Sequence, residues 1–131
     1  MILQPTSPLR RDFHIKESVD LIIKTGADSV VSVSKIPAHF HPRWQFTIGA
    51  KGELAIVTGE PFAEIITRRQ DLPQTYTRNG AMYLGRTRTL FGNNPGIYGN
   101  HAAAYVMDEK YSVNIDESDD WAKAEAMLKN I

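Results

Sequence analysis

The spacing of apolar residues changes several times along the chain, and each change predicts an element. Ile2 and Leu3 read as the end of a strand that gives way to Pro5-Thr6-Ser7-Pro8, a strand-to-helix turn. Ser7 before Pro8 makes a good N-cap and first-turn pair. Ile15, Val19, Ile22 and Ile23 recur at helical spacing over 12–25, and Gly26 supplies a left-handed stop. Ser29-Val30-Val31-Ser32-Val33-Ser34 is a β-branched run of strand length. Strand, helix and strand in succession predict a βαβ unit with parallel strands and a right-handed crossover.

From Lys35 the pattern shortens. The runs 44–48 and 53–57 flank Gly49-Ala50-Lys51-Gly52 and predict a β-hairpin. A plain doubly wound sheet has no place for it, so 36–76 is expected to be an excursion. With Trp44 and Phe46 exposed, the hairpin is predicted to pack on a second subunit, since isolated hairpins are marginal in water. Residues 81–85 return to strand, 87–91 predict a short helical turn, and 92–96 are loop. Residues 101–107 predict another strand. Residues 118–129 predict a helix with Trp121, Ala124 and Leu128 on one face. Residues 1–131 are read as a single α/β domain.

Composition narrows the class. The chain has 131 residues, 42% hydrophobic and 23% charged, as one globular domain requires. Lys plus Arg equals Asp plus Glu at 15 each, which gives no field for nucleic acid or a membrane surface. There is no cysteine, which excludes disulfides, cysteine-based zinc sites and thiol nucleophiles. The apolar runs are too short for a bilayer and no leader precedes a cleavage site, so a cytoplasmic protein is expected. Met1-Ile2-Leu3-Gln4 has no cap or turn before it, the look of a domain whose beginning is missing.

Three groups carry candidate chemistry. The stretch 68–83 sets Arg68, Arg69 and Arg78, two glutamines and two tyrosines around Pro73 and an Asn79-Gly80 turn. Arginine's planar fork suits a carboxylate or phosphate, so this loop reads as an anion-binding rim or as a solvated turn. Gln4, Thr6 and Ser7 fall where an open α/β sheet binds ligands, beyond a strand's carboxyl end. In Asn114-Ile115-Asp116 two oxygen-bearing side chains share one side of a strand and suit a hard cation such as Mg²⁺. Asp119 and Asp120 are expected to complement the dipole of the last helix. His39 and His41, with His101, form a remoter candidate for zinc. No Gly-x-Ser-x-Gly element supports a serine hydrolase.

Taken in order, Leu3-Gln4-Pro5-Thr6-Ser7-Pro8-Leu9-Arg10, Arg69-Gln70-Asp71-Leu72-Pro73 through Asn79-Gly80-Ala81-Met82-Tyr83, and Ser112-Val113-Asn114-Ile115-Asp116 with its Asp120-x-Ala-x-x-Glu helix resemble the acylneuraminate cytidylyltransferase family. The resemblance covers essentially the whole chain. It implies an incomplete Rossmann-like nucleotide-diphospho-sugar transferase sheet with helices on its faces and a protruding β-hairpin dimerisation arm. It implies transfer of CMP from CTP to an acidic nine-carbon sugar, assisted by Mg²⁺, in a homodimer. Arg69 then matches an arginine that contacts the sugar, Gln4 a glutamine of the sugar pocket, and Tyr83 the pocket tyrosine. Gln70 and Asn79 lie in the same motif and join the substrate-binding set. Ile97 and Tyr98 fall beside the sugar's acyl substituent.

Asp116 matches the second of two metal-binding aspartates, with Asn114 in place of the first. Asparagine keeps an oxygen but brings no charge, so weaker metal binding is expected. The resemblance also implies that the chain looks like the C-terminal portion of such an enzyme, without the phosphate-cradling loop. Alone it is then expected to be inactive, or to be a non-catalytic sugar-acid-binding or dimerisation remnant.

Overall fold

The computed structural model describes residues 1–91 and 95–129. They contain strands β1 (Ile2–Leu3), β2 (Ser29–Lys35), β3 (Phe46–Ile48), β4 (Leu54–Ile56), β5 (Tyr76–Gly85) and β6 (Ala102–Val106), with helices α1 (Asp12–Thr25) and α2 (Ser118–Leu128). A short 3-10 turn covers Thr87–Leu90, as predicted. Of the predicted loop at 92–96, residues 92–94 lie outside the described residues. The chain forms two compact units, Met1–Ser34 with Thr77–Ile131, and Lys35–Tyr76.

The first unit carries a four-stranded sheet in the order β1-β5-β2-β6. β1 is antiparallel to β5, with Ile2 opposite Tyr83 and Leu3 opposite Met82. The Arg86 N–H donates to the Asp28 carbonyl at 2.9 Å and the Met82 N–H to Ser32 Oγ at 2.8 Å, so β5 also runs against β2. β6 is parallel to β2, from Ser29 opposite Ala102 to Val33 opposite Val106. The fold is mixed α/β with a mostly antiparallel sheet. β1 and β2 point the same way, as the predicted βαβ unit requires, but they are not neighbours because β5 lies between them. Arg10 holds that insertion in place, donating from Nη1 to the carbonyls of Gln4 at 3.0 Å and Ala81 at 2.7 Å.

α1 covers one face of this sheet. Ile22, Ala27 and Val30 form a buried cluster against Leu21, Leu84, Ala103 and Tyr105. Each large aliphatic side chain sequestered there contributes about 1.5–3 kcal/mol. The buried stripe of α1 is His14, Ser18 and Ile22, whereas Val19 and Ile23 are exposed. The predicted apolar face was therefore only partly right. His14 also marks the helix start, because its Nδ1 accepts the Arg11 N–H at 2.9 Å. Ser7 is not the cap. It is buried four residues upstream of Arg11, and its hydroxyl donates to Asn114 Oδ1 at 3.4 Å. Gly26 ends the helix at φ 68°, as predicted. Arg86 reinforces that end, donating from Nε to the Ala27 carbonyl and from Nη2 to that of Ile22. A cation suits a helix C-terminus.

α2 packs on a second small core of Leu9, Val113 and Ala124, with Ile115 and Met127 against it. Its buried stripe is Ala124 and Met127, while Trp121 and Leu128 are exposed, which shifts the predicted face. Asp120 accepts the backbone N–H groups of Asp116 and Glu117, each at 3.1 Å, and so serves the helix start as expected.

In the second unit β3 and β4 form the predicted hairpin, with Phe46 opposite Ile56 and Ile48 opposite Leu54. Gly52 turns it at φ 85°. Phe46, Ile48, Leu54, Val57 and Phe62 are exposed. Trp44 is not: it is half-buried, and its indole N–H is taken by the Ile66 carbonyl.

Candidate functional site

One cavity of about 520 Å³ collects most of the polar residues that the sequence singles out, all within the first unit. Gln4 enters from the end of β1 and Ser34 from β2. Arg78, Asn79, Gly80 and Tyr83 come from β5, and Ser112, Asn114 and Asp116 from the segment before α2. The turn after β1 and the 112–116 segment are tied together here, since the Ile115 N–H donates to the Thr6 carbonyl at 2.8 Å.

The Asn79-Gly80 pair does not form a turn. It lies inside β5, where Gly80 adopts φ 75°. The cause is Asn79, only 9% exposed, whose side chain bonds in three directions. Its Oδ1 accepts from Ser32 Oγ at 2.7 Å and from the Ala81 N–H at 3.2 Å, and its Nδ2 donates to Ser112 Oγ at 3.2 Å. Local asparagine bonding of this kind competes with the regular ladder and leaves the next residue left-handed. Asn79 thus organises the pocket wall, while Gln4 Oε1 fills the space beside Gly80.

Asn114 and Asp116 are brought together as predicted, although the segment is not a strand. Asn114 Nδ2 donates to Asp116 Oδ2 at 2.7 Å. The amide oxygen is turned to Ser7. A nitrogen is therefore presented where a metal would need an oxygen. Among the described residues no three His, Asp or Glu side chains converge as a metal site. The donor set suits one Mg²⁺ in minimal form: the Asp116 carboxylate and, after rotation of the amide, the Asn114 oxygen. Mg²⁺ characteristically fills its remaining positions with water and phosphate oxygens.

Tyr98 stands beside the pocket rather than among its lining residues. Its ring meets that of Tyr83 edge to face at 6.4 Å, and Arg78 Nη1 donates to its hydroxyl at 3.4 Å. Its carbonyl accepts Ser29 Oγ at 2.6 Å. Asp28 fixes the chain just beyond, accepting from Arg88 at 2.7 Å and from the N–H groups of Asn100 and His101. The Arg88 bond, followed by those backbone donors, holds the Asp28 carboxyl below the usual carboxylate range. Ile97 lines a separate apolar cavity of about 50 Å³ with Tyr83, Thr89 and Leu90.

Arg69 and Gln70 belong to the second unit, in the 3-10 turn Arg69–Asp71. There Arg69 lines a cavity of about 220 Å³ with His41, Leu72 and Pro73. His41 is buried. Its Nδ1 accepts the Arg43 N–H at 3.1 Å and its Nε2 lies 3.1 Å from the Pro73 carbonyl, so both ring nitrogens are engaged. That bonding removes His41 from the remote zinc candidate.

The sequence groups Arg78 with Arg68 and Arg69 in a candidate anion-binding rim without choosing among them, and gives Gly80 and Ser112 no binding role. Arg78 was visible as the third arginine of the 68–83 stretch. Ser112 had no signal of its own, because its place depends on a bond across the fold to Asn79.

No family model matches the chain. Similar proteins are nonetheless found over nearly its whole length. The chain is 33% identical over 121 residues, 92% of its length, to the N-acylneuraminate cytidylyltransferase of Streptococcus agalactiae. It is 35% identical over 125 residues to the enzyme of that name from Oncorhynchus mykiss. It is 31% identical over 130 residues to the CMP-N,N'-diacetyllegionaminic acid synthase of Legionella pneumophila. These relatives are longer: the chain spans 28%, 27% and 53% of them, respectively. Among the described residues no helix is long and apolar enough to cross a membrane. The ordered motifs and these identities agree: over nearly its whole length the chain is similar to part of the acylneuraminate cytidylyltransferases.

Proposed function

We propose that the protein serves the transfer of CMP from CTP to an acidic nine-carbon sugar, and that the pocket of its first unit receives the sugar. The observation that carries this reading is convergence: Gln4, Asn79, Tyr83, Asn114 and Asp116, drawn from three separate stretches of the chain, line one cavity. Its size falls in the range of small-molecule sites. The relatives' names support the substrate class, an N-acylneuraminate or legionaminic acid joined to CMP.

In such a transfer the anomeric hydroxyl attacks the α-phosphorus of CTP. A sugar C–O–P linkage forms and the bond to pyrophosphate breaks. Little covalent work falls to the protein, which acts by positioning and charge. Gln4 offers a donor and an acceptor to sugar hydroxyls, Tyr83 offers a ring face and a phenol, and Ile97 offers apolar surface for an acyl substituent. Asp116 and Asn114 would hold Mg²⁺, which supplies charge neutralisation for phosphate oxygens. Arg69 and Gln70 keep, as a proposal, the acceptor contacts that their motif carries. The exposed apolar hairpin of the second unit is assigned to a homodimer contact.

A second expectation concerns turnover. The pocket lining supplies one cation against the several negative charges of a triphosphate. The 131-residue chain is therefore read as binding the acid without making the CMP-sugar by itself.

Calorimetric titration with an N-acylneuraminate tests the reading. Saturable binding is expected, weakened in Gln4→Ala and Tyr83→Ala proteins that keep native circular dichroism. No binding by the unmodified protein would reject the pocket assignment. Pyrophosphate release from CTP, Mg²⁺ and the acid would overturn the expectation of no turnover. Loss of binding in Arg69→Ala is expected if that arginine also contacts the acid.

A further inference from the structure

Several arginines of this chain are committed to internal partners. Arg10 and Arg86 donate to backbone carbonyls, while Arg43 and Arg88 pair with Glu60 and Asp28. Arg78 differs. It is exposed on β5 and lines the pocket, and its neighbours are phenols: its Nη1 donates to Tyr98 Oη at 3.4 Å, and the Tyr83 side chain lines the same pocket. Those two rings brace each other edge to face. Among the described residues no carboxylate pairs with Arg78, and among those lining the pocket it is the sole cation and Asp116 the sole carboxylate.

We infer that Arg78 is a specificity-determining residue of the acceptor pocket, gripping the carboxylate of the sugar acid in an orientation set by Tyr98. The inference rests on the sugar-acid reading of the pocket. Its physical basis is that a phenol oxygen orients a guanidinium without neutralising it. The fork keeps its full charge and has further N–H groups for an anion, a geometry that carboxylates satisfy with two parallel bonds. Asp116 contributes the opposite preference. When it holds no cation it repels a carboxylate, so in metal-free protein the two charges favour one direction of the acid in the pocket, carboxylate toward Arg78. A neutral sugar of the same shape gains nothing from this pair.

A phosphate oxygen could use the same fork, and the experiment separates the two sources. Unmodified, Arg78→Gln, Arg78→Lys and Tyr98→Phe proteins are titrated with N-acetylneuraminic acid, with its methyl ester, and with CTP. The unmodified protein is expected to prefer the acid to the ester. Arg78→Gln is expected to bind the acid roughly tenfold to a hundredfold more weakly and to lose that preference, the range typical of a charge-assisted bond. Arg78→Lys should recover the charge preference in part. Tyr98→Phe should weaken acid binding roughly twofold to tenfold, as for one neutral hydrogen bond. Acid binding that survives in Arg78→Gln with its preference intact would overturn the inference while leaving the sugar pocket standing. Loss of CTP binding without loss of acid binding would likewise overturn it, in favour of a phosphate contact. An unmodified protein that binds neither acid nor ester would sink both the inference and the reading beneath it.

Discussion

The Oε1 atom of Gln4 stands 2.6 Å from the point that a Cβ on Gly80 would occupy. Gly80 therefore meets two demands at once, a left-handed backbone and room for the amide that enters from β1. Gly80→Ala is expected to cost about 1–2 kcal/mol of stability from its backbone alone. It should also push Gln4 out of the pocket and weaken sugar-acid binding. Gly26→Ala is the matching control, because Gly26 has φ 68° but open space around it. That variant should lose similar stability in urea while keeping its binding.

The Asn79 side chain holds Ser32, Ala81 and Ser112 in one buried network. Asn79→Ala leaves these partners short of bonds, at a cost of about 1–3 kcal/mol for each group left unpaired and still buried. Urea unfolding should show a clear fall in midpoint. Amide exchange should quicken at Ala81 and Met82 first. An unchanged midpoint would mean that water replaces the amide freely.

Burial holds the His14 imidazole below its ordinary 6.5, and Arg10 and Arg11 act in the same sense while nearby Glu17 opposes them. His14 is 2% exposed and sits against Phe13, Tyr111 and Tyr105. Its Nδ1 lone pair is already used by the Arg11 N–H. As pH falls, the unfolded chain therefore takes up the proton before the folded one does. The stability that this neutral histidine contributes is whole above pH 6.5 and is lost as pH falls through 6.5 toward the depressed folded value. Urea midpoints should drop between pH 7 and pH 5, and His14→Gln, which keeps an acceptor, should flatten that drop.

The amide of Asn114 now satisfies Asp116 at 2.7 Å. Asn114→Asp would replace it with a second carboxylate. Without metal the like charges should lower stability, by an amount that added Mg²⁺ or Mn²⁺ restores. Thermal shift with and without Mn²⁺ reads this directly: a larger metal-induced rise is expected in Asn114→Asp than in the unmodified protein. Equal rises in both would show that the pair does not share a cation.

Local pattern revealed much of this fold. α1 with its Gly26 stop, the 46–56 hairpin, the strand over Ala102–Val106 and the closing helix each follow from residue spacing and turn chemistry. What local pattern missed was set at long range. No feature near Ile2 announces that β5 will slip between β1 and β2, since Arg10 enforces that pairing from outside both strands. Asn79-Gly80 carries the signature of a turn, yet Ser32 and Ser112 draw Asn79 into a strand. Ser7-Pro8 has the chemistry of a helix cap, yet the serine is spent on Asn114. Gln4, Asn79, Tyr83, Asn114 and Asp116 carry sequence motifs and line one cavity, whereas Arg78 joins them only through the pocket lining.

The most direct test of the sugar-acid pocket is a chemical-shift map of the ¹⁵N-labelled protein titrated with an N-acylneuraminate. Shifts are expected to grow together at Gln4, along 77–83 and along 112–116, with one shared dissociation constant. Shifts confined to other residues, or none at millimolar ligand, would contradict the assignment of that pocket to the acceptor.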